Sequence, residues 1–411
     1  MDKNTPEDSL DREARPKSAS SARRALVIGM GIGGLSAGIA LKRAGFEVHI
    51  FERRRDRKEL EIGGGIVMWA NAGRAMQQLG VADGVLKVGV RVKRAEHRTQ
   101  DGKLLAVWPL EQIEEVQGAP SVSVSRANLH PVLEEALGDT PVKLQAECVG
   151  FTQDGSKVTA QFADGTQEQG DLLICADGRN SKLRRQVANV DEKYPPYAGY
   201  TLWSATAKLK HPAAGEGVFA VMHGGATQVY FFHINPGEVY WSCAAWVPEG
   251  DRGRHFGADN KATVEARLRG WGEPLPSFLK ASEPADVARR DIYGGTPLPR
   301  WSTGRVALLG DSAHPMTTTQ GQGACAAMED ALVLSRCLQA DQDIVSALRA
   351  YEAQRQERTN ALMKVSKQLE ERARISHPAR VWIRNHMIGT VFGTPWLVQR
   401  ISWYQGMARL V

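Results

Sequence analysis

At 411 residues, 42% apolar and 24% charged, the chain has room for two to three domains of roughly 150 residues and a globular composition, which excludes wholesale disorder and a multispanning membrane fold. Its 52 basic and 46 acidic residues leave a mild +6, and the basic run Arg53-Arg54-Arg55-Asp56-Arg57-Lys58 has no interleaved aromatics, so no nucleic-acid partner is expected. Five scattered cysteines without a CxxC pair argue against a disulfide framework and a metal site and fit a reducing, cytoplasmic compartment.

In chain order, residues 1–22 read as a disordered leader with no signal peptide. Arg23-Arg24 precedes an apolar run over 25–41, but that run is short for a membrane span and carries five ordered glycines. ALVIG at 25–29 predicts a buried strand, 33–45 a helix and EVHIFE at 47–52 a second strand, a βαβ opening. DLLICAD at 171–177 and RVALLGD at 305–311 are further apolar strands, each ending in aspartate. YTLWSATAKL, TQVYFFHI and EVYWSCAAWV carry the β-rich texture of 91–118 and 196–290, whereas 323–338 and 343–375 are helical. The expected architecture is α/β. A Rossmann-like nucleotide-binding domain is assembled from 23–90, 119–195 and 291–375, a mixed or antiparallel substrate-binding sheet from 91–118 and 196–290 is inserted into it, and 376–411 forms a helical C-terminus.

Three motifs carry the chemistry. Gly29-Met30-Gly31-Ile32-Gly33-Gly34 is a GxGxxG between strand and helix: the first glycine allows the tight turn, the second admits a pyrophosphate, and the third lets helix and strand pack. The helix N-terminus offers amides and a positive dipole to phosphates, and Glu52, ending the second strand, is placed for a ribose hydroxyl pair and repels a 2′-phosphate. The second motif is CADGRNSKLR at 175–184; alone it reads as a capped turn. The third is GDSAHP at 310–315, followed by GQG at 321–323 and the helix with Met328-Glu329-Asp330-Ala331, where an aspartate and close-approach glycines suit a sugar-alcohol chain and a flat ring.

With these motifs in this order, the stretch 23–375 resembles the FAD-dependent aromatic hydroxylases, the single-component flavoprotein monooxygenases related to para-hydroxybenzoate, salicylate and urate hydroxylases and zeaxanthin epoxidase. The resemblance implies bound FAD, with Glu52 on ribose, Arg126 along the phosphate and ribityl region, Asp177 in the motif shared with NADH or NADPH, and Asp311 on the ribityl hydroxyls. It also places EIGGGI at 61–66, with Gly65, beside the flavin, and makes Arg53, Pro315, Gly321, Gly323 and Ala324 cofactor contacts. The implied reaction is NAD(P)H reduction of FAD, addition of O2 to give a C4a-hydroperoxyflavin, and oxygen transfer that hydroxylates or epoxidises the substrate. Two departures stand out: Thr318 replaces a proline common after the third motif, and Gln228 and Thr319 stand where the urate branch has the arginine and aspartate of its substrate site, which argues against urate.

No catalytic side chain is compelled by the sequence. In TQVYFFHI, strand alternation puts Gln228, Tyr230 and Phe232 on one face and His233 on the other. The expected pocket is that face with Trp203, Tyr240, Met316 and Thr318, and its aromatics favour an apolar aromatic or polyene substrate over a small polyanion. His314 reads as a turn residue, and His223 and His233 as sheet residues. The tail carries Trp382, Ile383, Met387, Ile388, Val391, Phe392, Trp396, Leu397, Val398, Ile401 and Trp403 among arginines; helices closing over the pocket are preferred to peripheral membrane contact. A monomer or homodimer is expected. The competing readings are a flavin reductase or dehydrogenase that does not use O2 productively, and a non-catalytic flavin- or lipid-binding protein.

Overall fold

The computed structural model describes residues 22–61, 64–191, 193–250 and 254–391. The expected leader, apart from its last residue, and the tail residues Phe392, Trp396, Leu397, Val398, Ile401 and Trp403 lie outside the described residues.

The opening run RALVI forms the strand Arg24–Ile28, whose last four residues are buried between the helix Ile32–Arg43 on one face of the sheet and the antiparallel strands Val158–Phe162 and Gln167–Gly170 on the other. That sheet has six strands in the order Ser302–Thr303, Val306–Leu308, Leu172–Cys175, Arg24–Ile28, Glu47–Phe51, Val142–Lys143. All neighbours are parallel except the antiparallel edge formed by Ser302–Thr303. The helix Ile32–Arg43 follows the Gly-rich turn and packs on the helix Gly323–Ala340, which in turn packs on the long helix Ile344–Ala373. All three motifs therefore emerge at the carboxyl ends of neighbouring parallel strands, where α/β sheets bind ligands.

A second sheet of eight strands stands beside the first, ordered Arg254–Phe256, Ala288–Tyr293, Tyr197–Lys208, Glu238–Ala245, Thr227–Asn235, Val218–His223, Arg94–Thr99, Leu104–Pro109. It is mixed, because Val218–His223 runs parallel to Arg94–Thr99. The 91–118 stretch thus contributes two strands to this sheet, and the strand Ala288–Tyr293 runs past position 290. Period-two alternation divides the sheet's faces. Trp203, Phe231, Trp241 and Cys243 form one core with Val264 and Phe278 from the covering helices. Leu202, Phe219, Gln228, Tyr230, Phe232 and Tyr240 turn to the other face, toward the nucleotide domain. A final helix, Pro378–Val391, closes over this face beside the strand Leu104–Pro109. Among the described residues no helix is long and apolar enough to cross a membrane.

Candidate active site

A continuous cavity of about 1400 Å³ runs from the three motifs to the inner face of the large sheet. That exceeds the roughly 300–1,000 Å³ of an ordinary small-molecule site and suits a dinucleotide with a second ligand.

At the nucleotide end, Gly29 adopts φ +103° and its amide donates to the Phe51 carbonyl at 2.7 Å, crossing the chain tightly between the first two strands. A Cβ on Gly29 would lie 2.3 Å from the Ala176 carbonyl oxygen, and one on Gly34 only 1.9 Å from that of Gly29, so Gly34 serves helix-on-strand packing and does not line the cavity. Gly31 has nothing within 4 Å of its missing Cβ, and no side chain caps the helix it begins. The first-turn amides are therefore left to a ligand. Glu52 is buried; its two oxygens accept from the amides of Met30 at 2.8 Å and Arg54 at 3.0 Å.

The second and third motifs are fastened to each other. Asp177 accepts from the Ser312 hydroxyl at 2.9 Å, and that hydroxyl accepts from the Gly178 amide at 2.9 Å. Burial raises the Asp177 pKa against the opposing pull of Ser181, Ser312 and Arg184. Arg184, 1% exposed, donates to the carbonyls of Ser312, Asp311, Arg179 and Gly178 at 2.6–3.1 Å. The sequence marks Arg184 only as the end of a motif; in the fold it staples two motifs together.

Beneath the third motif lies a sealed ion network. Asp330 accepts from His314 at 2.6 Å, from Arg355 at 2.7 Å and from the Gly310 amide at 3.0 Å. Burial would raise the Asp330 carboxyl, but His314 and Arg355 outweigh it and hold it at about 2. Glu329 pairs with Arg355 and Arg358, and Asn71 donates to it at 2.7 Å. His314 is thus a structural partner of this network and faces the core, not the cavity.

Most of the sequence-predicted positions meet on the cavity wall: Gly29, Gly31, Gly33, Glu52, Arg53, Gly65, Arg126, Asp177, Asp311, Gly321, Gly323 and Ala324 at the nucleotide end, and Gln228, Tyr230, Phe232, Tyr240, Met316 and Thr318 at the sheet end. Two lie elsewhere. Trp203 is buried on the opposite sheet face, opposite Cys243, with Arg267 and Arg289 over its ring; its neighbours Leu202 and Ser204 reach the cavity instead. Pro315 turns from the cavity, and its carbonyl accepts from the Gly295 amide at 2.7 Å. The glycines of 64–65 have a packing reason: a Cβ would meet the Tyr240 ring at 2.2 Å or the Phe232 ring at 2.6 Å.

Thr318, Gln228 and Tyr230, named from sequence, have partners that the sequence does not reveal, and further wall residues escape the sequence reading. Thr318, the proline replacement, donates its amide to the buried Tyr200 hydroxyl at 3.2 Å and shares a second bond with it at 3.0 Å. From the Tyr230 hydroxyl a hydrogen-bond chain runs to Gln228 at 2.6 Å, from the Gln228 amide to His223 at 3.1 Å, and from His223 to His97 at 2.9 Å. Burial pushes His97 down to about 4, and burial, His97 and Arg384 push His223 well below its usual value, so both imidazoles are neutral at neutral pH. His223 is the sheet residue expected, but it also faces the cavity; its register opposite Gln228 is the signal that would have found it. The C-terminal helix adds Arg380, Ile383, Arg384, Met387 and Ile388 to the wall, while Trp382 stays 68% exposed. Among the described residues no group of His, Cys, Asp or Glu is placed to hold a metal.

These features, a Gly-rich turn, a buried glutamate after the second strand and two aspartates following parallel strands, all opening on one cavity, define a dinucleotide-binding flavoprotein fold. The family model described as "FAD binding domain" matches residues 23–366. Aurachin C monooxygenase/isomerase of Stigmatella aurantiaca is 33% identical over 363 residues, covering 88% of this chain and 93% of that protein. FAD-dependent urate hydroxylase of Klebsiella pneumoniae is 34% identical over 345 residues, covering 83% and 88%. The crystal structure of Klebsiella pneumoniae HpxO complexed with FAD and uric acid superposes with a TM-score of 0.86 at 29% identity, over 95% of this chain and 98% of that one. The chain belongs to the FAD-binding-domain family, among its FAD-dependent monooxygenases.

Proposed function

We propose that the protein uses FAD, NADH or NADPH, and O2 to hydroxylate or epoxidise an aromatic or largely apolar small molecule. One observation supports this reading above the others: the cavity is continuous from the Gly-rich turn to a wall of Phe219, Tyr230, Phe232 and Tyr240, so a flavin seated on the motifs would meet a substrate seated on the sheet. Gly31 and Gly33 at the uncapped helix would hold the pyrophosphate, Glu52 the adenosine ribose, and Asp311 the ribityl chain, with Arg53 and Arg126 flanking. The Gly321–Ala324 segment opens the helix Gly323–Ala340, which has no side-chain cap, and its amides would face a ring carbonyl. When bound, the flavin supplies hydride acceptance and activation of O2. The chain's own residues orient the substrate and keep water out. Because the neutral Tyr230–Gln228–His223–His97 chain commits the Tyr230 proton to Gln228, it leaves that oxygen as an acceptor for a substrate O–H or N–H.

The test is anaerobic mixing of the flavin-loaded protein with NADH or NADPH across a panel of aromatic and quinone-like compounds, followed by O2 and mass spectrometry. A compound that speeds flavin bleaching and then gains one oxygen atom supports the monooxygenase. Bleaching that yields only hydrogen peroxide or a reduced product refutes it in favour of the reductase.

A further inference from the structure

The cavity is electrically lopsided. Its carboxylates, Glu52, Glu59, Glu147, Asp177 and Asp311, all belong to the nucleotide end. Among the described residues the large sheet and the C-terminal helices contribute no carboxylate to the wall, only the arginines Arg290, Arg372, Arg380 and Arg384. Arg384 is the most buried of these, 8% exposed on the helix Pro378–Val391. Its guanidinium donates to the Gly224 carbonyl at 3.0 Å and to Asn385 at 3.0–3.1 Å, and the buried Nη1 has no partner among the described residues. Among the described residues no carboxylate compensates it: burial alone depresses its pKa, and its charge helps hold nearby His223 neutral. Glu370 on the preceding helix is engaged by the Thr317 hydroxyl. A buried cation with a free donor and no counter-ion is costly to fold, and an anion entering the cavity would offset that cost.

We propose that Arg384 is the anchor for an anionic oxygen, a carboxylate or an acidic ring hydroxyl, on an aromatic substrate whose body lies against Phe219, Tyr230 and Phe232. This deepens the proposed function and rests on it for the word substrate. The aromatic wall remains as expected from sequence, but the preferred ligand becomes an aromatic acid in place of a wholly apolar molecule. Arg384 lies past residue 366, where the family match ends, so the anchor stands outside the matched domain.

The probes are 2-naphthoate and its neutral isostere 2-naphthamide, titrated into the flavin-loaded protein by isothermal calorimetry. The wild type is expected to bind the carboxylate at least about tenfold more tightly than the amide; Arg384→Met should abolish that preference and Arg384→Lys retain part of it. Flavin content and the thermal midpoint of each variant report whether it folds, and the lysine variant keeps the test open if the methionine variant does not. Equal affinities in the wild type, or an undiminished preference in Arg384→Met, overturn the anchor. So does a loss confined to NADPH against NADH, which would make Arg384 a phosphate contact. The two proposals fail separately: naphthoate preference without oxygen insertion into any compound leaves the anchor and removes the monooxygenase, whereas oxygen insertion into an aromatic compound together with equal wild-type affinities for naphthoate and naphthamide does the reverse.

Discussion

Replacing Arg355 with methionine tests whether the sealed ion network supports the third motif. Arg355 is 1% exposed, with Nε 2.7 Å from Asp330 and Nη2 2.8 Å from Glu329. At an effective dielectric near 20, a unit charge pair at that distance attracts by about 6 kcal/mol, so two give about 12 kcal/mol gross. Most of this is offset by the desolvation of the ions, and removing one partner of a buried pair costs about 3–5 kcal/mol net. Arg358 still serves Glu329 and His314 still serves Asp330, which places the expected loss near 3 kcal/mol, a large part of a total stability of about 5–15 kcal/mol. Urea unfolding of the flavin-free protein followed by circular dichroism measures it, with the slope unchanged. Because Asp330 also holds the Gly310 amide, flavin affinity should fall with stability. Adding Asp330→Asn removes the orphaned charge, so the double variant should be more stable than Arg355→Met alone. A loss below about 1 kcal/mol, or strictly additive effects in the double variant, would refute the reasoning.

The glycines of the first motif should separate packing from binding. Gly34→Ala drives a methyl group into the Gly29 carbonyl and should give a destabilised protein without flavin absorbance at 450 nm, whereas Gly31→Ala, with open space around it, should unfold at the wild-type urea midpoint when flavin-free yet bind FAD more weakly by fluorescence titration. Thr318→Pro removes both bonds to the buried Tyr200 hydroxyl and should cost about 1–3 kcal/mol in the same unfolding assay; Tyr200→Phe placed on top of it should recover part of that loss. Acid should destabilise the fold through His97: its folded value near 4 lies below the 6.5 of the unfolded chain, so stability is fully present above pH 6.5 and is lost as pH falls toward 4, by up to about 3 kcal/mol. His97→Phe should flatten the dependence of the urea midpoint on pH across that window.

What the sequence made legible was local. The βαβ opening and the three motifs are written in runs of a few residues, with glycines where the backbone has no alternative, as at Gly29 and Gly34. The large sheet was legible as texture but not as register. Alternation along one strand placed Gln228, Tyr230 and Phe232 together correctly, yet nothing within 201–210 says whether Trp203 or its neighbours share their face; that depends on pairing with Cys243, forty residues away. His97 was invisible for the same reason, since it reaches His223 only through a parallel pairing of strands separated by more than a hundred residues. Arg184 and Arg384 were not singled out because a sequence carries no measure of burial, and long polar side chains are rarely buried.

The division between the two ends of the cavity explains why the family is easier to name than the substrate. Phosphates and ribose are recognised largely by backbone amides, by glycines that let the backbone approach, and by two carboxylates at strand ends, so that end tolerates few alternatives. The sheet end is assembled from side chains on seven strands and the two last helices, so a change at any one of them alters the wall. Gln228 illustrates the freedom: at a position where the resemblance sets an arginine, a neutral amide now orients Tyr230 and His223. A cation still stands at this end of the cavity, carried by Arg384 on a different element, and the proposed anchor would place charge recognition on the C-terminal helix.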